Sequence, residues 1–143
     1  MKFEDVIDMM LVLINDYQVA NISDEELLME VSIKVNMLIP RTQFEDLTFD
    51  TELCVFNRDL TVLEATILSY GLLMMWLSPF INNREVLQTQ LTSKEVTSFS
   101  NANRIQQGIQ LQKLAKTEFY QLLIDYNTLQ VKAQIKEQLE ENN

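Results

Sequence analysis

An all-α helical bundle is the fold this sequence predicts, on three observations. The 143 residues include only two glycines and two prolines, too few turn residues for a β-rich or α/β chain of this length. Apolar residues recur at three- and four-residue spacing in several segments. Three Ser/Thr-x-x-Glu boxes, at Ser23, Thr61 and Thr92, carry the signature of helix N-termini. With 47% apolar and 22% charged residues the chain is globular, and its length suits one domain.

The elements follow in order. Phe3, Val6, Ile7, Met10, Leu11 and Ile14 form one stripe of a first helix over 3–18, with Asp5, Asp8 and Asp16 off it. Ser23 and Glu26 open a second helix that places Leu27, Leu28, Val31, Val35 and Leu38 inward and ends before Pro40. Residues 40–58 read as a connection whose Phe44, Leu47, Phe49, Leu53, Val55 and Phe56 mark it as ordered and packed. Thr61 and Glu64 start a central apolar helix, about 61–78, that Pro79 ends. A short helix over 80–91 and a turn or two opened by Thr92 follow. Ser100 then caps a long helix, about 101–126, with Ala102, Ile105, Ile109, Leu111, Leu114, Ala115, Phe119, Leu122, Leu123 and Tyr126 on its apolar faces. Residues 1–127 are expected to be a single helical domain. Residues 128–143 are a helical or extended tail whose thin stripe of Val131, Ile135 and Leu139 is too narrow for a core and suits a partner.

The segment Val62–Leu77 is the longest apolar run, and a helix apolar nearly all round must be enclosed by protein or lipid. At 16 residues, with Glu64 inside and no Lys/Arg cluster at either end, it is short of the roughly 20 residues of a membrane span. Two settings remain: burial within one subunit, or partial exposure to another subunit. Met74, Met75 and Trp76 near its end suit an interface, since Met adapts and Trp anchors contacts.

Little in the sequence points to catalysis. The absence of histidine removes the commonest general base and metal ligand. Cys54, the single cysteine, forms no intramolecular disulfide and in its apolar setting reads as a packed thiol. Two glycines cannot build a phosphate-cradling loop. Asp24, Glu25, Glu26 and Glu30 are explained by a helix's first turns rather than by a metal. Glu64 is explained by its capping box, and the polar stretch 97–103 by helix capping. No catalytic, cofactor-binding or metal site is expected, and no secretory signal is visible at the N-terminus.

Charge is lopsided. Residues 1–64 hold 14 Asp/Glu against four Lys/Arg, whereas residues 65–143 hold seven of each, so the net charge of −10 belongs to the N-terminal half. Such a surface disfavours a tight grip on phosphates. Lys113, Lys116, Lys132 and Lys136 read as a solvated helical face or a modest complement to acidic neighbours.

From Asp59 to Asn127 the order of features resembles the small helical head–tail connector (adaptor or neck) proteins of tailed bacteriophages. The resemblance rests on the capped apolar helix LTVLEATILSYGLLMMWLSP and the spacer INNREVLQTQL. It extends over the TSKEVTSFS element and the long helix SNANRIQQGIQLQKLAKTEFYQLLIDYN, roughly half the chain. Residues 1–58 lie outside it. It implies a homo-oligomeric ring, usually a dodecamer matching the portal protein, that sits in the virion neck after synthesis in the host cytoplasm. Such a ring extends the DNA channel, lets DNA pass during ejection without specific binding, and carries the tail or the next neck ring. The segment that reaches the portal in that family corresponds here to Thr128–Asn143, with Val131, Ile135 and Leu139 as the docking edge. A non-enzymatic structural protein is thus the leading expectation. An acidic helical binding module, a regulator or assembly chaperone that masks a basic partner, is the alternative.

Overall fold

The computed structural model describes residues 1–82 and 95–142. Over these it is all-α, with a single two-stranded ribbon: α1 (Phe3–Asp16), α2 (Asp24–Ser32), α3 (Val35–Thr42), β1 (Phe49–Asp50), β2 (Val55–Phe56), α4 (Val62–Asn82) and α5 (Glu95–Glu141). The predicted helix over 80–91 lies largely outside the described residues, as does the Thr92 capping box.

α4 is the axis of the fold. It packs most extensively against α5, then against α1, with α2 and α3 touching it as well. Ala65, Ile67, Leu68, Leu72, Leu73 and Leu77 are fully buried along it, which no single face of a helix would give. An 18-residue window, Val62–Pro79, is long and apolar enough for a membrane span, and the fold buries 56% of it. The subunit therefore uses most of the apolar surface of α4 itself.

The predicted stripes of the flanking helices point inward. Phe3, Val6, Ile7, Met10 and Ile14 of α1 are buried, as are Leu27, Val31, Val35 and Leu38 of α2 and α3. Among the described side chains of α5, Ile105, Leu111, Ala115 and Phe119 are buried. Gly71 is where three helices converge. A Cβ there would lie 2.8 Å from Leu38 Cδ2 and 2.9 Å from Phe119 Cε2. The bare backbone of α4 lets α3 and α5 approach at that level.

The structure corrects four boundaries. The single helix predicted from Ser23 to Pro40 is two, separated by a turn at Ile33–Lys34, and Pro40 lies inside α3 rather than beyond it. The connection 40–58 contains the end of α3 and a β-hairpin pairing Phe49 with Phe56. Its aromatics explain its order: Phe49 lies 4.8 Å from both Phe3 and Phe56, ring centre to ring centre. Leu53 and Val55, expected to pack, are exposed at the hairpin tip. Pro79 does not end α4, which continues to Asn82. Its missing N–H orphans the Met75 carbonyl one turn earlier, and Lys34 Nζ donates to that oxygen at 3.3 Å. The long helix is not bounded by Ser100 and Tyr126; it runs unbroken for 47 residues.

Candidate functional site

The functional surface expected from the sequence has two parts, and the structure places them apart. Met74, Met75 and Trp76 sit in the last turns of α4. Met74 is buried, and Met75 and Trp76 are half-buried against the subunit's own core. The Trp76 indole donates to Glu30 Oε2 at 2.6 Å, which ties α4 to α2. Val131, Ile135 and Leu139 lie instead on the distal part of α5. Every described residue from Thr128 onward is exposed there, so this stretch leaves the body as a lone helix. Its 14 residues to Glu141 make it about 21 Å long.

The foot of that helix is fixed by Tyr126. Its ring meets Phe44 edge to face at 4.8 Å, and burial pushes its phenol above the ordinary value. Beside it, Gln43, Glu45, Asn127, Gln130 and Gln134 line a groove at the junction of α3 and α5 that includes Val131. Beyond this foot the three apolar residues of the stripe are 51–61% exposed. Tyr120 and Ile124 extend the same row back along the outer side of α5. These two were not singled out from the sequence, although their spacing to Val131 was visible there.

A second exposed apolar row lies on α2 and α3. Met29, Ile33 and Met37 follow at four-residue spacing and are 62–73% exposed. The row crosses the turn between the two helices, where Ile33 and Lys34 keep right-handed helical angles. Asp24, Glu25 and Glu26 stand exposed at its N-terminal end, where Ser23 Oγ accepts from the Glu26 N–H at 3.2 Å. Sequence reasoning missed this row because the inward stripe accounts for each helix without it.

The buried carboxylate is structural. Glu64 is 2% exposed and is held by Arg58 through two bonds of 2.9 and 2.7 Å. The Glu64 N–H donates to Thr61 Oγ1 at 3.1 Å, and Glu64 Oε1 accepts from the Thr61 N–H at 3.0 Å, a complete capping box. Arg58 also donates to the carbonyls of Asp59 and Glu45, pinning the approach to α4. The Arg58 guanidinium holds the Glu64 carboxyl below its ordinary value, against the opposing effect of burial. That is the wrong direction for a general acid near neutral pH.

Cys54 closes the hairpin in a left-handed conformation, φ 54°, with its thiol donating to the Thr51 carbonyl at 3.4 Å. It lines a cleft with Lys2, Phe3, Glu4, Arg58 and Asp59, whose charges alternate in sign. Among the described residues no three His, Cys, Asp or Glu side chains converge as a metal site. What the arrangement offers is surface for association: two exposed apolar rows and a predominantly acidic N-terminal half.

No protein-family model matches this chain, and neither a curated protein nor a solved structure does so.

Proposed function

We propose that this chain is a structural subunit of a bacteriophage neck, a head–tail connector that acts by assembly and not by catalysis. In this reading it forms a ring, expected to be dodecameric, between the portal and the tail or next neck ring. One observation carries the reading: the last 14 residues of α5, about four turns, leave the body as a lone helix with an exposed apolar edge, Val131, Ile135 and Leu139. A lone helix of this length is marginal in water, so its apolar edge calls for a partner. The resemblance places the portal-docking segment at that position. The acidic surface adds support, because a conduit must let DNA slide.

The test is to measure mass by light scattering with and without the portal protein encoded in the same genome. A large closed ring, alone or on the portal, is the expected result. A monomer or dimer under both conditions would overturn the connector reading in favour of the acidic binding module. A portal gene beside this one in the genome would be a second, independent support.

A further inference from the structure

We infer that the two exposed apolar rows are the two halves of one contact, in which the α5 tail of one subunit lies along α2 and α3 of a second copy, parallel to them. The proposal gives the tail edge to a second copy instead of to the portal, and shares with the assembly reading only the requirement that the chain meet copies of itself.

The rows match in length. Met29 to Met37, across the turn between α2 and α3, and Val131 to Leu139, about 12 Å of continuous helix, each span eight residues. Each presents three exposed apolar side chains one turn apart, and none of the six is covered within the subunit. They also match in charge. Asp24, Glu25 and Glu26 precede the Met29 row, and exposed Lys132 and Lys136 follow the tail row on one flank. At 100° per residue, Glu137 and Glu141 fall away from that flank, whereas Glu140, one turn after Lys136, ends it with a negative charge.

Charge also fixes the orientation. In the parallel arrangement Met29 faces Val131, Ile33 faces Ile135 and Met37 faces Leu139. Lys132 is then level with Glu30, one turn beyond Glu26, Lys136 is level with Lys34, and Glu140 and Glu141 approach Arg41 at the other end. In the antiparallel arrangement Glu140 and Glu141 would meet Asp24–Glu26, like charge on like. Because the two rows are different surfaces, the contact is heterologous: each copy offers one tail and accepts one tail, so copies close into a ring or run on as a filament. Two helices in contact over this length bury well under the roughly 800 Å² per partner of a standard specific interface. One contact is therefore weak, and ring closure supplies the remaining affinity.

The test uses full-length chains and no portal. One variant carries Met29→Asp and Ile33→Asp, and another carries Val131→Asp and Ile135→Asp. All four sites are exposed, and circular dichroism checks that each variant keeps its helix content. Wild type should gain mass with concentration, and each variant alone should stay monomeric. Mixed one to one, the variants should form a dimer that grows no further, since only one intact row of each kind remains. In a Cys54→Ser background, Met29→Cys mixed with Val131→Cys should cross-link faster than Met29→Cys mixed with Leu139→Cys. A wild type that stays monomeric at all concentrations overturns the proposal, as does loss of association in the tail variant only, or a mixture that does not pair. A reversed cross-linking preference overturns the parallel orientation. None of these failures touches ring formation on the portal, which the previous experiment measures separately.

Discussion

At the scale of single residues, packing decides more than propensity. Gly71→Ala would gain about 1 kcal/mol of helix propensity in the middle of α4. The added methyl would sit under 3.0 Å from Leu38 and Phe119, both fully or almost fully buried, and overpacking of that kind costs about 1–3 kcal/mol. The net expectation is destabilisation of about 1 kcal/mol, read as a lower urea midpoint, with a smaller penalty in a Leu38→Ala background. A higher midpoint would mean that the three helices have room at this level. Glu64 gives a second residue-scale prediction. Its folded-state pKa is lowered from 4.5, so the pair contributes fully above that pH and its contribution fades as pH falls through the depressed value. Wild type should therefore lose stability on acidification below about pH 4.5, and Glu64→Gln should lose less over the same window. At neutral pH Arg58→Ala should cost about 2–4 kcal/mol, because it leaves the buried carboxylate unpaired. Urea titrations across that pH range check both, and equal acid slopes for wild type and Glu64→Gln would count against the assignment.

At the scale of elements, most of the fold was legible in the sequence, and the misreadings have a shared cause. The inward stripes of α1, α2 and α3 were visible because a 3.6-residue period leaves a mark in any short window. The Thr61–Glu64 box was visible because both partners are three residues apart. Pro79 misled because the group that compensates for it, Lys34, lies in the turn between α2 and α3, 41 positions before the Met75 carbonyl it serves. Ser100 misled because a good capping residue is no break where the helix has reason to continue. The hairpin escaped because strands of two residues show no alternation, and the left-handed positions at its turn, Cys54, and in the approach to it, Gln43 and Asp46, are filled without glycine. The tail stripe was legible; the Met29 row was not, since exposure is decided by what else covers a helix. The Lys34 contact can be tested as a coupling. Lys34→Met keeps the aliphatic stem and removes the donor, which should cost about 1–2 kcal/mol. In a Pro79→Ala background the restored N–H can serve the Met75 carbonyl, so the same substitution should cost distinctly less. Equal costs in the two backgrounds would separate Lys34 from the proline.

At the scale of the whole molecule, the question is what the charge does. Of the 14 carboxylates in residues 1–64, Glu64 alone is buried, and Arg58 neutralises it. The others stand half or fully exposed on α1, α2, the hairpin and their connections. The lysines of α5 do not offset this field locally, because Lys113, Lys116, Lys132 and Lys136 are spread along one long helix. Proteins that hold duplex DNA non-specifically do so with dissociation constants of about 10⁻⁴–10⁻⁶ M at physiological salt, through clustered cations. This chain should bind more weakly than that, with no retardation of a linear duplex in a gel-shift titration at physiological ionic strength. Retention in the micromolar range would be incompatible with a conduit that DNA must leave freely. Charge reversal on the hairpin supplies the complementary arm. Asp50 and Glu52 are exposed, and Asp50→Lys with Glu52→Lys moves four units of charge per subunit. That variant should bind the duplex at low salt and release it as salt rises, whereas wild type should show neither. In a resolved ring the same argument places acidic residues of 1–64 on the bore. A bore lined by lysine and arginine would defeat it, because phosphate contacts of that kind hold DNA in place instead of letting it pass.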